Sequence, residues 1–243
     1  MIFLAGSSTP YRNDTDREIL FRQESNFYYL TGCQIPSSYL LASYQHGTSL
    51  SESDASKVDL FIPKAKLADM MWSIPPPTKE DAAAMFDVAN VKYLEELPWT
   101  IEALFKAFPD ALFHTLPRNS PLFPDLPEEH VASILRNDGT ITDQFLLSTL
   151  HRARLTKDAY EIELIRKANA ISSRAHEVVM RVLGKAVKEK EWGGKGVGEN
   201  KVVLPGEWLI EKEAEAEAIF GASCRREGSV VTISLNAMTN GHP

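Results

Sequence analysis

Short apolar runs alternate with helix-spaced segments over the first 130 residues. Ile2-Phe3-Leu4-Ala5 predicts a strand. Asn26-Phe27-Tyr28-Tyr29-Leu30 is aromatic-rich and runs into Thr31-Gly32, the pattern of a helix or a strand ending in a turn. Residues 38–44 (SYLLASY) and Val58-Asp59-Leu60-Phe61-Ile62 predict two further strands, the second closed by Pro63. The polar stretch 48–57 reads as a hairpin-like connection between them. Residues 79–85 predict a helix, 90–93 a strand, 99–108 an amphipathic helix and 111–114 a strand. Strands separated by helices predict a mixed α/β domain.

Pro117, Pro121, Pro124 and Pro127 then interrupt regular structure, and helices are expected at 128–136 and 141–150. The pattern changes after Arg152-Ala153-Arg154-Leu155-Thr156-Lys157. Asp158 with Glu161 three residues on predicts a capping box. Ile162, Ile165, Ala168, Ile171, Ala175, Val178, Val179 and Val182 follow at helical spacing, which predicts a helix of about seven turns ending at Gly184. A Gly/Lys-rich loop is expected at 193–200, a second long helix at 207–226 stopped by Gly228, and a strand at 229–235. Two helices and one strand bury little core of their own, so the shorter second part reads as incomplete beside the first.

Composition narrows the setting. Hydrophobic residues make up 44% and charged residues 24%, values that allow a soluble chain with a buried core. A net charge of −7 argues against nucleic acid and anionic membrane surfaces as partners. No apolar run reaches the roughly 20 residues that span a bilayer, and the start lacks the basic region of a secretory leader. Cys33 and Cys224 are far apart and form no metal-ligand spacing, which reads as two buried small hydrophobes in a reducing cytoplasm.

Few residues offer chemistry. Glu211, Glu213, Glu215 and Glu217 recur at i, i+2, so only alternate members share a helix face, and the stripe reads as a solvated face balanced by Lys212. His176 reads as a histidine at a surface or core edge, and His151 beside Arg152 and Arg154 as linker charge ahead of a contact with a substrate carboxylate. Gly193-Gly194-Lys195-Gly196-Val197-Gly198 lacks both the ending and the preceding strand of a phosphate loop and reads as a connection. Phe27-Tyr28-Tyr29 reads as core.

Three stretches, taken together, resemble the Xaa-Pro aminopeptidase and prolidase family of pita-bread metallopeptidases, in its fungal intracellular form. The first is residues 16–32 (DREILFRQESNFYYLTG), similar to the family's N-terminal signature. The second is Leu60-Phe61-Ile62-Pro63 with Met71-Trp72. The third is residues 154–169 (RLTKDAYEIELIRKAN), similar to the segment that opens the catalytic domain. Order and spacing agree over roughly residues 1–228.

The resemblance implies an α/β fold: a creatinase- and aminopeptidase P-like N-terminal domain at 1–150, with a mixed sheet and flanking helices. A linker follows at 151–157, and 158–243 holds the first two helices and one strand of an incomplete pita-bread α+β domain. It implies a peptidase that releases the N-terminal residue before proline. Its substrates would be proline-containing peptides, and the N-terminal domain could build a homo-oligomer. It also implies two manganese ions per subunit, held by two Asp, one His and two Glu of the catalytic domain. The chain has no Asp after Asp158, and His176 and His242 are its only later histidines. No catalytic or metal-binding residue is therefore expected here, and no metal is expected to bind this chain at the family site. Trp72 is the one candidate for the substrate mouth; the replacement of the usual Gly-containing stretch by Ser73-Ile74-Pro75-Pro76-Pro77 favours a packing or interface role for it instead. The tail 229–243 departs from the family pattern, which leads to the expectation of a fragment. The alternative reading is an inactive chain acting at most as an oligomerisation or interaction domain.

Overall fold

The central strands are apolar on both faces, which fits strands covered on both sides. The computed structural model describes residues 1–45, 55–67, 69–71, 74–117, 120–124, 141–191, 210 and 212–228. Two units are distinguished, Met1–Thr156 and Lys157–Pro243.

The first unit is built on a six-stranded mixed sheet. Its strands are β1 (Ile2–Ala5), β2 (Tyr39–Gln45), β3 (Ala55–Ile62), β4 (Asn90–Tyr93), β5 (Phe113–His114) and β6 (Ile141–Thr142), in the spatial order β4-β3-β2-β1-β5-β6. β2 is antiparallel to both β1 and β3, whereas β3–β4, β1–β5 and β5–β6 are parallel. The register sets Leu4 opposite Leu40 and Leu40 opposite Leu60. With Ile62 these side chains form one face, which packs on Phe27, Ala82, Leu146 and Leu150. Phe3, Leu41 and Phe61 form the other face, which packs on Leu97, Ile101 and Phe113. The period-2 alternation thus sorts one apolar run into two cores. Helices α1 (Ser25–Thr31), α2 (Lys79–Met85) and α4 (Leu146–Ala153) contribute to the first core, and α3 (Leu97–Ala107) to the second.

Local chemistry sets the helix ends. The Glu24 carboxylate accepts from the Phe27 N–H at 2.6 Å and starts α1. Gly32, at φ +65°, ends α1 by donating its N–H to the Tyr28 carbonyl at 2.7 Å, a conformation that glycine adopts without strain. The Thr78 hydroxyl accepts from the Asp81 N–H at 3.2 Å and starts α2.

In the second unit, α5 (Ala159–Glu191) opens on the expected reciprocal cap. The Glu161 N–H donates to the Asp158 carboxylate at 2.7 Å, and the Asp158 N–H to Glu161 at 2.9 Å. Helix α6 (Glu213–Arg226) packs on it through Ile171, Ala175, Cys224 and Phe220. Arg174 Nε reaches both Glu227 carboxylate oxygens, at 2.7 and 2.8 Å.

Several expectations need correcting. Residues 141–150 are not one helix: Ile141 pairs in parallel with Phe113 and is buried, so the β-branched Ile141-Thr142 joins the sheet and the helix begins at Leu146. The first long helix of the second unit runs through Gly184 to Glu191, because one glycine costs only about 1 kcal/mol and good helix formers follow it. Helix α6 begins at Glu213, since Lys212 is extended and its N–H donates to Glu215 at 3.1 Å, while 207–209 and 211, expected in the same helix, lie outside the described residues. Residues 55–57, expected in the loop, belong to β3. Only Phe27 of the aromatic cluster is core, whereas Tyr28 and Tyr29 are 45% and 38% exposed. Residues 48–54, the helix expected at 128–136, the loop at 193–200 and the strand at 229–235 lie outside the described residues.

Nothing stands within 4 Å of a Cβ added at Gly184. Gly184→Ala is therefore expected to stabilise the second unit by about 1 kcal/mol, read as a higher urea midpoint by circular dichroism. A lower midpoint would mean that Gly184 needs a glycine-only backbone.

Candidate functional site

Polar side chains of the first unit gather at the carboxyl ends of β1 and β5 and along the outer strand pair β3–β4. The segment 16–32 supplies the first group. The Gln23 amide oxygen accepts from the Ser7 N–H at 2.6 Å and from the Glu24 N–H at 3.0 Å, while its NH2 group donates to the Ile35 carbonyl at 3.1 Å. One side chain thereby ties the exit of β1, the start of α1 and the turn before β2. Gly6 lies against this bracket: a Cβ there would sit 2.9 Å from both the Gln23 amide oxygen and the Ser38 carbonyl. Next in sequence, Glu24 accepts from the Asn26 side-chain amide at 2.8 Å, and the Asn26 oxygen accepts from Arg154 at 3.0 Å. The Arg154 guanidinium also sits over the Tyr29 ring, 5.3 Å from its centroid.

The second group surrounds Asp59, which is 4% exposed. Its carboxylate accepts from the Lys92 ammonium at 2.9 Å and from the Asn90 amide at 2.7 Å. Lys92 also lies 5.5 Å from the Phe61 ring centroid. The third group is Glu96, which accepts from the Tyr93 N–H at 3.0 Å and from Lys79 at 3.0 Å. The Tyr93 N–H, and after it Lys79, hold the Glu96 carboxyl below the usual carboxylate range.

A cleft of about 640 Å³ opens at the carboxyl ends of β1 and β5. Gly6, Ser8, Ser37, Tyr39, Ser120, Pro121, Phe123 and Pro124 line it. The described lining offers hydroxyl groups and rings, which can hydrogen-bond a ligand.

The described residues do not fit the donor set of a dinuclear metal site. No group of three or more His, Cys, Asp or Glu among them could hold an ion. The buried carboxylates Glu24 and Asp59 already serve as acceptors for backbone and side-chain donors. Trp72, the candidate for the substrate mouth, and Glu211 lie outside the described residues. His176 is exposed, bonds the Ser172 carbonyl at 2.8 Å and packs edge-on against Phe220. Cys33 and Cys224 are free and buried, as expected. Burial raises the Cys33 thiol above its ordinary value, which suits a packing role. The Gln23 bracket and the Asp59–Lys92 pair were not read from sequence: an amide in a motif and an aspartate within a strand do not reveal their partners.

The comparisons agree with the resemblance. Residues 1–112 match the family described as aminopeptidase P, N-terminal domain. A protein of Podospora anserina named a probable Xaa-Pro aminopeptidase is 33% identical over 231 residues, which cover 94% of this chain and 41% of that protein. The chain thus spans about two-fifths of the length of this relative. Among solved structures, the low-pH form of aminopeptidase P from E. coli superposes with a TM-score of 0.63 at 18% identity, over 93% of this chain and 45% of that one. A zinc-substituted E. coli aminopeptidase P in complex with product gives a TM-score of 0.61 at 18% identity, with the same coverage. At that identity the structural likeness shows the fold. Among the described residues no helix is long and apolar enough to cross a membrane.

The Glu96 contacts make a pH prediction. A carboxyl held below its unfolded value stabilises the fold above the carboxylate range and ceases to do so as pH falls through its folded value. Glu96→Gln should therefore be less stable than the parent at neutral pH, and the two urea midpoints should converge below about pH 4. A gap that stays constant with pH would contradict this assignment.

Proposed function

We propose, for a chain whose residues 1–112 match the aminopeptidase P N-terminal domain family, a role in Xaa-Pro aminopeptidase architecture as the domain that frames the peptide-facing mouth and the contacts between subunits. The observation that carries this reading is the 231-residue relationship to a probable Xaa-Pro aminopeptidase, which runs through both units. Proline-containing peptides are the proposed substrates of the complete catalytic assembly. A homo-oligomer through the first unit is the proposed quaternary state. The cytoplasm is the proposed location, supported by two free, buried cysteines.

The chemistry explains why these residues frame the reaction rather than perform it. An Xaa-Pro bond is a tertiary amide, and its hydrolysis needs an activated water and a polarised carbonyl. Two divalent ions, manganese in this proposal, would supply both when bound. Such ions take several carboxylates and an imidazole converging on one point. The described carboxylates do not converge in this way, and no aspartate follows Asp158. What the residues do is mechanical. Gln23 holds three backbone segments in register, Asp59 and Lys92 pin β3 to β4, and the sheet keeps the cleft open at the carboxyl ends of β1 and β5.

A second reading, that the chain itself hydrolyses Xaa-Pro bonds, draws on the same relationship. An assay separates the two. The purified chain, incubated with an Xaa-Pro peptide and added manganese, is expected to release no N-terminal residue above a mock preparation. Turnover that chelation abolishes and manganese restores would establish the second reading.

A further inference from the structure

Arg154 lies 128 positions from Asn26 in sequence, yet its guanidinium donates to the Asn26 side-chain oxygen at 3.0 Å. One further contact fixes the guanidinium, and another fixes its acceptor. Tyr29, one turn beyond Asn26 on α1, sets its ring 5.3 Å from the guanidinium carbon. Asn26 is itself held, because its amide donates to Glu24 at 2.8 Å, and Glu24 also starts α1 through the Phe27 N–H at 2.6 Å. The backbone of Arg154 is equally committed: its N–H donates to the Leu150 carbonyl at 2.9 Å and closes α4. Just inside that end, Leu150 and Phe27 are buried in the same apolar cluster.

We infer that Arg154 is a clasp that makes α1 and the segment ending the first unit move as one body. Its guanidinium reaches a fixed amide oxygen with one nitrogen while its cationic carbon lies over an aromatic ring, a combination that a lysine ammonium reproduces only in part. The contact joins the first and third of the resembling stretches. Asn26 and Tyr29 come from one and Arg154 from the other, and neither stretch completes the contact alone. The clasp is a positioning device, and it does not depend on the peptidase reading.

Native-state hydrogen exchange on the full chain tests the clasp. Arg154→Gln is expected to raise amide exchange about tenfold in both residues 25–32 and residues 150–156, the loss that follows from one charge-assisted hydrogen bond. Exchange in β1, β2 and β3 should stay at the parent level, and Arg154→Lys should fall between the two. An unchanged rate in either segment would overturn the inference, and so would a uniform rise that includes the sheet. Should Arg154→Gln fail to fold, Tyr29→Leu removes the ring contact from a position 38% exposed. That variant is expected to raise exchange about threefold in the same two segments, and parent-level exchange in both would overturn the clasp.

Discussion

The carboxamide of Gln23 is the constraint on which the first unit depends. Ser7, Glu24 and Ile35 belong to three separate backbone segments, and all three bond to this one side chain. An amide suits the position because it offers an acceptor and a donor at one tip: the oxygen takes two N–H groups and the nitrogen gives to a carbonyl. A glutamate would lack the donor and a leucine would lack both. Glycine at position 6 follows from the same geometry, since a side chain there would collide with the Gln23 oxygen and the Ser38 carbonyl. From this bracket β1 enters the middle of the sheet, α1 starts over one face, and β2 returns antiparallel beside β1.

The same logic governs the other acidic groups. A buried carboxylate is costly unless donors satisfy it. Glu24 and Asp59 are nearly inaccessible, and each has at least two donors. Satisfied in this way, they are poor candidates for metal ligands or general bases, whose lone pairs must face a substrate. The unit's polar residues hold backbone segments together, and its cleft is lined with hydroxyl groups and rings.

Much of this was legible in the sequence where local chemistry decides. The run Ile2–Ala5, the helix Lys79–Met85 and the strand Asn90–Tyr93 appear where periodicity and flanking residues place them. The Asp158–Glu161 cap forms because both partners lie within one turn. Legibility fails where a distant partner decides. Ile141 and Thr142 fit a helix by spacing and become a strand only because β5 offers an edge. Gly184 resembles a helix stop, but stopping requires a left-handed backbone that the helix does not adopt there. Tyr28 and Tyr29 look like core beside Phe27, yet three consecutive helical positions cannot face one way. The family motif around Gln23 could be recognised, but its physical role emerged only once Ser7 and Ile35 were placed around it.

Urea unfolding of Gln23→Leu tests that role most directly. The substitution keeps much of the volume and leaves the Ser7 and Glu24 N–H groups and the Ile35 carbonyl without this partner. The account predicts a loss of about 3 kcal/mol in the stability of the first unit, one net hydrogen bond for each group. A variant as stable as the parent would contradict the claim that this amide organises the domain.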